Sequence, residues 1–343
     1  MAAEDSSASL MKMIDLVTPF AVRCAVTLGL PDLIASGTTE LADLAAKTGT
    51  DSDALRRLLR HLVGVGLFTR SSSGSYGTTD LSDLLLDDGE GRNWLRAWLD
   101  LEGPGAKMDM AFSGMLHSIR TAGPSYAQVH GRSFWDDVAA APAFSEFFND
   151  VMAAHTWQTA PQLASEYDWA PVRRVVDVGG GTGALLRVLL RAHPHLHGTV
   201  VDLPSAIPGA RSAFAQAGLA DRAEVVAGSF FDPLPPGADV YVVSRVLTDW
   251  DDHSARTILR RCAQAAGDNG KVLIVEVLPG VEHAKKNSSF DLQMLVLLGG
   301  RERTVADFGA LAREVGLSVS WSRTWDDGLT FVECVPAGSA AAS

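Results

Sequence analysis

The sequence predicts an α/β fold, a Rossmann-like mixed sheet preceded by a long helical N-terminal part. Three observations carry that expectation. From Val172 onward, short β-branched runs alternate with amphipathic stretches, which is the signature of strands and helices in turn. That half opens on a βαβ unit: strand Val175–Val178, glycines at 179, 181 and 183, an apolar-periodic helix, then strand Gly198–Val201 ending at Asp202. The residues before it carry helical spacing, interrupted by one short hairpin pattern.

The N-terminal elements read in order as follows. From Leu10 to Leu33, Met13, Ile14, Val17, Phe20, Ala21 and Val26 recur at three- and four-residue steps, until Gly29 and Pro31 punctuate the helix. A short helix runs from Thr39-Glu40-Leu41 to about Gly49. Asp51 or Ser52 caps the next, whose Leu55, Leu58, Leu59 and Leu62 form one stripe. Leu67 to Thr79 reads as a hairpin around Ser71–Gly74, so residues 1–90 predict a winged helix-turn-helix. A DNA-binding reading would use Arg56, Arg57, Arg60 and His61. Residues 1–90 hold seven Lys/Arg against thirteen Asp/Glu, a net −6, opposite to what phosphate neutralisation needs. A dimerisation or substrate-covering role is therefore expected.

Residues 91–170 read as all-helical, with apolar stripes at Trp94, Leu95, Trp98 and Leu99 and at Phe134, Trp135 and Val138. A helix from Phe144 through Met152 carries His155 and Trp157. Aromatic stripes are usually core, but these lead into the cofactor half, where some are expected to wall a pocket. The remaining elements are helix Ile207–Ala217, strands Ala223–Ala227 and Val240–Ser244, helix Ser254–Ala266, strand Lys271–Val277, helices Phe290–Leu298 and Val305–Val315, and strands Leu317–Arg323 and Thr330–Val335. A terminal hairpin after parallel strands implies one antiparallel strand.

The bulk properties exclude several classes. With 343 residues, 47% apolar and 20% charged, the chain is of ordinary globular composition and can bury a sizeable core. A net charge of −12 argues against nucleic acid and anionic membranes as partners. Cys24, Cys262 and Cys334 lie far apart, in neither a metal-ligand spacing nor a disulfide framework. A reducing, cytoplasmic setting without a bound metal is expected. The sequence shows no secretory-signal pattern and no apolar run of 18 residues.

The glycine-rich turn admits more than one ligand. Gly179-x-Gly181-x-x-Ala184 fits the dinucleotide fingerprint, with Asp202 where a ribose-binding carboxylate belongs. Asp177, two residues before Gly179, would repel a pyrophosphate and favour a cation. S-adenosylmethionine (SAM) has an ammonium group and a ribose diol but no phosphate, and suits both carboxylates better than a nicotinamide or flavin dinucleotide. A ligand-free structural turn is the remaining alternative. Ligands of open α/β sheets sit beyond the carboxyl ends of the strands, which gathers Asp177, Asp202, Ser229, Ser244, Thr248 and Glu276 at one crevice.

Five motifs in order carry a resemblance. They are Phe148-Asn149-Asp150-Val151-Met152, Val176-Asp177-Val178-Gly179-Gly180-Gly181-Thr182-Gly183, Asp202-Leu203-Pro204, Asp249-Trp250-Asp251-Asp252 and Gly299-Gly300-Arg301-Glu302-Arg303-Thr304. With them the chain resembles the dimeric, SAM-dependent small-molecule O-methyltransferases: the plant caffeic-acid type, and more closely bacterial enzymes acting on anthracyclines and related aromatic polyketides. The resemblance implies a homodimer, with a winged-helix dimerisation domain over 1–90, a helical linker and substrate-covering region over 91–170 and a SAM-binding catalytic domain over 171–343. It implies that Gly179 and Gly181 approach the methionine part of SAM, Asp202 holds the ribose, Leu203 packs on the adenine and Phe230 stacks there. Ser244 and Arg245 complete the cofactor side.

The sequence departs from that family at two places. Ser229 stands where members usually carry an aspartate. Thr248 stands where plant-type members carry the histidine general base, and a threonine hydroxyl accepts no proton near neutral pH. The flanking glutamates survive as Glu276 and Glu302. His155 and His253 are the candidate replacement bases, and Trp157, Met294, Asp249 and Arg301 the candidate contacts to a small aromatic substrate. Two functions stay open: O-methyl transfer by proximity without a histidine base, and a repurposed SAM-binding enzyme that decarboxylates, hydroxylates or closes a ring. A SAM-sensing regulator is disfavoured by the acidic wing.

Overall fold

In the computed structural model, residues 2–87, 93–278 and 289–338 are described. The chain divides into two compact units, Met1–Met110 and Ala111–Ser343.

The first unit comprises α1 (Ala2–Met13), α2 (Val17–Thr27), α3 (Leu30–Ala35), α4 (Leu41–Thr48), α5 (Ser52–Gly64), a two-stranded antiparallel hairpin of β1 (Thr69–Arg70) and β2 (Tyr76–Gly77), then α6 (Asp80–Asp83), α7 (Trp94–Leu99) and α8 (Pro104–Met110). The single helix expected from Leu10 to Leu33 is three helices. The Asp15 carboxylate accepts the Val17 amide at 2.9 Å, which starts a new helix there. Gly29, at φ 64°, then turns the chain into α3. Asp51 caps α5 by accepting the Ala54 amide at 2.9 Å. Leu30, Leu44, Leu55, Leu59, Leu62, Phe68 and Tyr76 form the core. Arg56 and Arg57 both pair with Asp53 on their own helix.

The first compact unit extends past residue 90, to Met110. Leu95 and Leu99 of α7 pack against the core of the first unit. Thr27 Oγ1 donates to Asp100 at 2.9 Å, and Arg23 pairs with Asp109. Residues 93–110 therefore belong with the N-terminal helices, and the helices from 111 to 170 belong with the sheet. Apolar burial and cross-links, not the change from helix-rich to strand-rich sequence, decide where a compact unit ends.

The second unit begins with a 3₁₀ turn (Ala111–Gly114) and helices α9 (Met115–Thr121), α10 (Tyr126–His130), α11 (Phe134–Ala140) and α12 (Pro142–Glu166). Then come β3 (Arg174–Val178), α13 (Ala184–Ala192), β4 (His197–Asp202), α14 (Ile207–Gln216), β5 (Ala223–Ala227), β6 (Val240–Ser244), a 3₁₀ turn (Leu247–Asp249), α15 (Asp252–Ala266) and β7 (Lys271–Val277). It closes with α16 (Ser289–Leu298), α17 (Val305–Glu314), β8 (Leu317–Thr324) and β9 (Leu329–Pro336).

These strands form one sheet in the order β5-β4-β3-β6-β7-β9-β8, and β9 runs antiparallel to both its neighbours. The expected mixed sheet with one reversed strand is thus present. Each central strand buries both faces: Val176, Val178, Tyr241, Val243 and Ile274 enter one core, and Val175, Val200, Val242, Leu273 and Val275 the other. That is why these segments read as continuous apolar runs. After β3 the chain goes to β4 on one side, and β6 pairs on the other, so the strand order reverses at β3. Asp177 is the β3 residue at that switch point, where a crevice opens. Among the described residues, no helix is long and apolar enough to cross a membrane, and no cluster of three His, Cys, Asp or Glu could hold a metal ion.

Candidate active site

The crevice at the carboxyl ends of β3, β4 and β6 is built first from the glycine turn. Gly179 has φ 73°, and a Cβ there would sit 2.8 Å from Val246 Cγ2, so only glycine fits. Gly181 has φ 55°, and its amide donates to Asp202 Oδ2 at 2.7 Å. The Leu203 amide donates to the other oxygen, Oδ1, at 2.6 Å. Two backbone donors therefore aim the Asp202 carboxylate. Burial raises its pKa above the ordinary carboxylate range, and the two amides oppose the shift.

Asp177 tests which ligand fits. Its carboxylate lies against Gly180, where a Cβ would collide with it. Oδ2 is buried and takes no hydrogen bond among the described residues. Burial first, and the Asp202 charge second, raise its pKa to about 7. An unpaired buried carboxylate beside a glycine turn wants a cation, and two carboxylates here would repel a pyrophosphate. The ammonium and ribose diol of SAM meet both demands, so these residues fit that cofactor.

The same crevice is lined by Leu203, Ser229, Phe230, Ser244, Arg245 and Asp249. Leu203 is 43% exposed at the mouth. Ser229 Oγ accepts the Phe231 amide at 3.2 Å and supplies no charge. Arg245 is held with φ 54°, a left-handed backbone that a non-glycine residue adopts at a cost. Its guanidinium lies 5.8 Å from the centre of the Phe290 ring.

The remaining predicted residues stand outside that lining. Thr248 is 7% exposed; its hydroxyl donates to the Arg301 carbonyl at 3.4 Å and its amide to Glu276 Oε1 at 3.3 Å. The side chain at 248 points into protein, and the next residue, Asp249, reaches the crevice. Glu276 is 3% exposed, and burial raises its pKa to about 7 against the opposing pull of Arg245, the Thr248 amide and Arg303. Glu302 is raised by burial and by Asp291, whose Oδ1 accepts the Glu302 amide at 2.7 Å. His155 lies on α12, and burial, then the Arg245 charge, lower its pKa. Trp157 is 41% exposed, with the Arg187 guanidinium 5.0 Å from its ring centre. Met294 is buried in α16, Arg301 pairs with Asp252 at 3.3 Å, and His253 sits in the first turn of α15. With its hydroxyl engaged by a backbone carbonyl, Thr248→Ala is expected to change kcat/KM by less than about tenfold, the size of one modest hydrogen bond. A steady-state assay showing a loss of several decades would place the hydroxyl on the reacting oxygen instead.

Part of the wall was expected: Trp135 lies in a stripe expected to face a pocket, and Phe148, Asn149, Met152 and Trp250 lie in the quoted motifs, though without an individual role. Ser145, Phe148, Asn149, Met152 and Thr156 line the crevice from α12, and their three- and four-residue spacing marks one helix face. Trp135 and Trp250 also line it, nearly parallel at 13° with ring centres 6.0 Å apart; Trp250 meets Phe231 edge-on at 4.9 Å. The indole N–H groups of both tryptophans are buried without an acceptor among the described residues. Arg303 was named only as part of the Gly299–Thr304 motif and given no role. It is 2% exposed and donates to the carbonyls of Leu247 at 2.6 Å and Trp250 at 2.7 Å, and to Asp252 at 3.0 Å, bracing the loop that presents Asp249. Within the Gly299–Thr304 motif nothing in the sequence singles out the second arginine, and only tertiary packing distinguishes it.

Comparison with known proteins agrees with this geometry. A family model described as the O-methyltransferase domain matches residues 112–318, and one described as the O-methyltransferase dimerisation domain matches residues 11–88. The chain is 48% identical over 310 residues to 2,7-dihydroxy-5-methyl-1-naphthoate 7-O-methyltransferase of Streptomyces carzinostaticus, covering 90% of this chain and 92% of that one. It is 41% identical over 327 residues to aclacinomycin 10-hydroxylase of Streptomyces purpurascens, covering 94% and 87%. Among solved structures, an O-methyltransferase of neocarzinostatin biosynthesis, in complex with SAM and 2-hydroxy-5-methyl naphthoic acid, superposes with a TM-score of 0.87. It is 45% identical, over 95% of this chain and 98% of that one. A glycine turn flanked by two aimed carboxylates, an aromatic wall beside it and both family matches lead to one assignment: the chain belongs to the SAM-dependent O-methyltransferases that carry an N-terminal dimerisation domain.

Proposed function

We propose that the chain transfers a methyl group from SAM to a hydroxyl of a fused aromatic acceptor of the hydroxynaphthoate or aromatic polyketide kind. The observation that carries this reading is the aromatic wall of Trp135, Phe148 and Trp250, continuous with the glycine turn and its carboxylates in one crevice. A flat acceptor lying on that wall has its hydroxyl beside the donor. SAM supplies an electrophilic methyl on a sulfonium centre. The chain's own part is to bind and align: Asp177 for the ammonium, Asp202 for the ribose diol, Leu203 and Phe230 for the adenine. Ser244 and Arg245 line the same side, and Trp157, Met294 and Arg301 await a liganded state to acquire a role. Holding both reactants in line contributes a large share of the rate, since effective molarities of well-oriented groups reach about 10⁵ M and above. No histidine lines the crevice among the described residues, which supports transfer without a histidine base.

The test is transfer of an isotopically labelled methyl from SAM to a panel of hydroxynaphthoates and polyketide phenols. Labelled product is expected. A second reading, SAM bound but spent on hydroxylation, decarboxylation or ring closure, is favoured by the 41% identity to a hydroxylase. An acceptor consumed without gaining label would establish it.

The chain is proposed to act as a homodimer in the cytoplasm. Leu10, Met13, Leu16 and Val17 are 58%, 81%, 71% and 65% exposed in the first unit, an apolar surface that a second copy would cover. Light scattering is expected to give twice the chain mass of 36.4 kDa at every concentration tested. A monomer mass would refute it. Cys24, Cys262 and Cys334 are free thiols, in keeping with a reducing compartment.

A further inference from the structure

Methylating a hydroxyl releases a proton, and neither the histidine missing at 248 nor the inward-turned Thr248 takes it. Three carboxylates line the crevice. Two of them, Asp177 and Asp202, flank the glycine turn, and Asp202 is already engaged by two amides. The third, Asp249, stands at the exit of β6, and its carboxylate takes no hydrogen bond among the described residues.

The backbone around Asp249 is fixed from several sides. Arg303 holds the carbonyls of Leu247 and Trp250, on either side of it. The Arg301 amide donates to the Thr248 carbonyl at 2.9 Å. Gly300 is so close that a Cβ would sit 2.6 Å from the Asp249 carbonyl carbon. A group held this tightly, whose carboxylate takes no hydrogen bond among the described residues, is placed for a ligand.

Resting on the methyl-transfer reading above, we propose that Asp249 is the proton acceptor for the acceptor hydroxyl, with Glu276 behind it and Arg245 as counter-charge. In the step, the aryl oxygen bonds to the methyl carbon as the carbon–sulfur bond breaks, with its electron pair passing to sulfur. The hydroxyl proton moves to Asp249. The sulfonium charge is lost, one neutral carboxylic acid is gained, and that acid returns its proton to water after product leaves.

The electrostatics suit the role. Burial first, then the Glu276 charge, raise Asp249 to about 8, and Arg245 opposes them. Glu276 comes from β7, and Arg245 also faces Glu302 and His155. A carboxylate of this basicity approaches that of a phenolate, so proton transfer from a carbonyl-conjugated naphthol is close to balanced. The sign follows: Asp249 must be ionised to act, so turnover rises with pH through about 8.

The experiment compares full-length wild type, Asp249→Asn and Glu276→Gln on hydroxynaphthoates of graded acidity, with labelled SAM. Wild type failing to transfer label would overturn the methyl-transfer reading itself. With transfer established, Asp249→Asn is expected to lower kcat by about 10²–10³ on a naphthol of ordinary acidity. On a nitro-substituted naphthol already ionised in solution, the loss should shrink to less than about tenfold. Glu276→Gln removes a neighbouring negative charge and should move the wild-type pH profile to lower pH, which stands as evidence even where the Asn variant folds poorly. A readout without turnover is the absorbance of a naphthol bound with S-adenosylhomocysteine: the naphtholate should appear at higher pH in wild type than in Asp249→Asn, because the ionised Asp249 carboxylate repels it. A uniform loss across all acidities, with unchanged naphthol absorbance, would make Asp249 a positioning residue and overturn the proposal. So would an Asn variant close to wild type, since the amide keeps a donor but cannot take a proton.

Discussion

Arg303→Met is expected to be among the most damaging single changes in the catalytic half. The guanidinium is buried and satisfies the carbonyls of Leu247 and Trp250. A methionine of similar length fills the space but leaves both oxygens without a donor, at about 1–3 kcal/mol for each buried unsatisfied group. The pair with Asp252 adds little, because that carboxylate is half exposed. Stability should therefore fall by roughly 2–6 kcal/mol, read as a lower urea midpoint with an unchanged slope. Activity should fall further than stability requires, because the same bonds hold the loop that carries Asp249. A variant with a wild-type midpoint and wild-type kcat would show that the loop is held by something else. Lysine is no substitute, since one ammonium cannot span both carbonyls with the reach of a planar fork.

Asp202→Ala is expected to weaken SAM binding by about 1–3 kcal/mol, roughly five- to a hundred-fold, the cost of losing hydrogen bonds to a charged group. S-adenosylhomocysteine should weaken by the same factor, because both ligands share the ribose. The alanine also frees the Gly181 and Leu203 amides that the carboxylate now occupies. Asp202→Asn should be milder for the ribose but cannot accept both amides. Titration calorimetry with the two ligands checks this. An unchanged affinity would remove Asp202 from the cofactor site.

Legibility in the sequence followed how local each cause is. The central strands of the sheet were readable because they are buried on both faces and so read as apolar runs; β6 and β7 fall on the expected residues. The glycine turn was readable because backbone geometry and carboxylate spacing are fixed within thirty residues of chain. The break at Asp15 was not, since a helical apolar period continues across it and a single cap decides it. At the site, Asp177, Gly179, Gly181, Asp202, Leu203, Ser229, Phe230, Ser244, Arg245 and Asp249 line one crevice. Thr248 was expected at the crevice because it follows the carboxyl end of a strand, where ligands of open α/β sheets sit. Its rotation inward depends on Gly300 and Arg303, some fifty residues away, and no local pattern records that.

The left-handed backbone at Arg245 has a consequence for engineering. Such a conformation costs a non-glycine residue on the order of 1–2 kcal/mol, offset here by the charges of Asp249, Glu276 and Glu302 and by the Phe290 ring. Any selection for heat resistance alone would favour Arg245→Gly, which relaxes the main chain. The same change would strip the counter-ion from Asp249, Glu276 and Glu302 and let them hold their protons to higher pH. Position 245 is thus a site where durability and turnover pull in opposite directions, and libraries screened only for melting temperature would enrich sturdy proteins with an alkaline-shifted, sluggish active site.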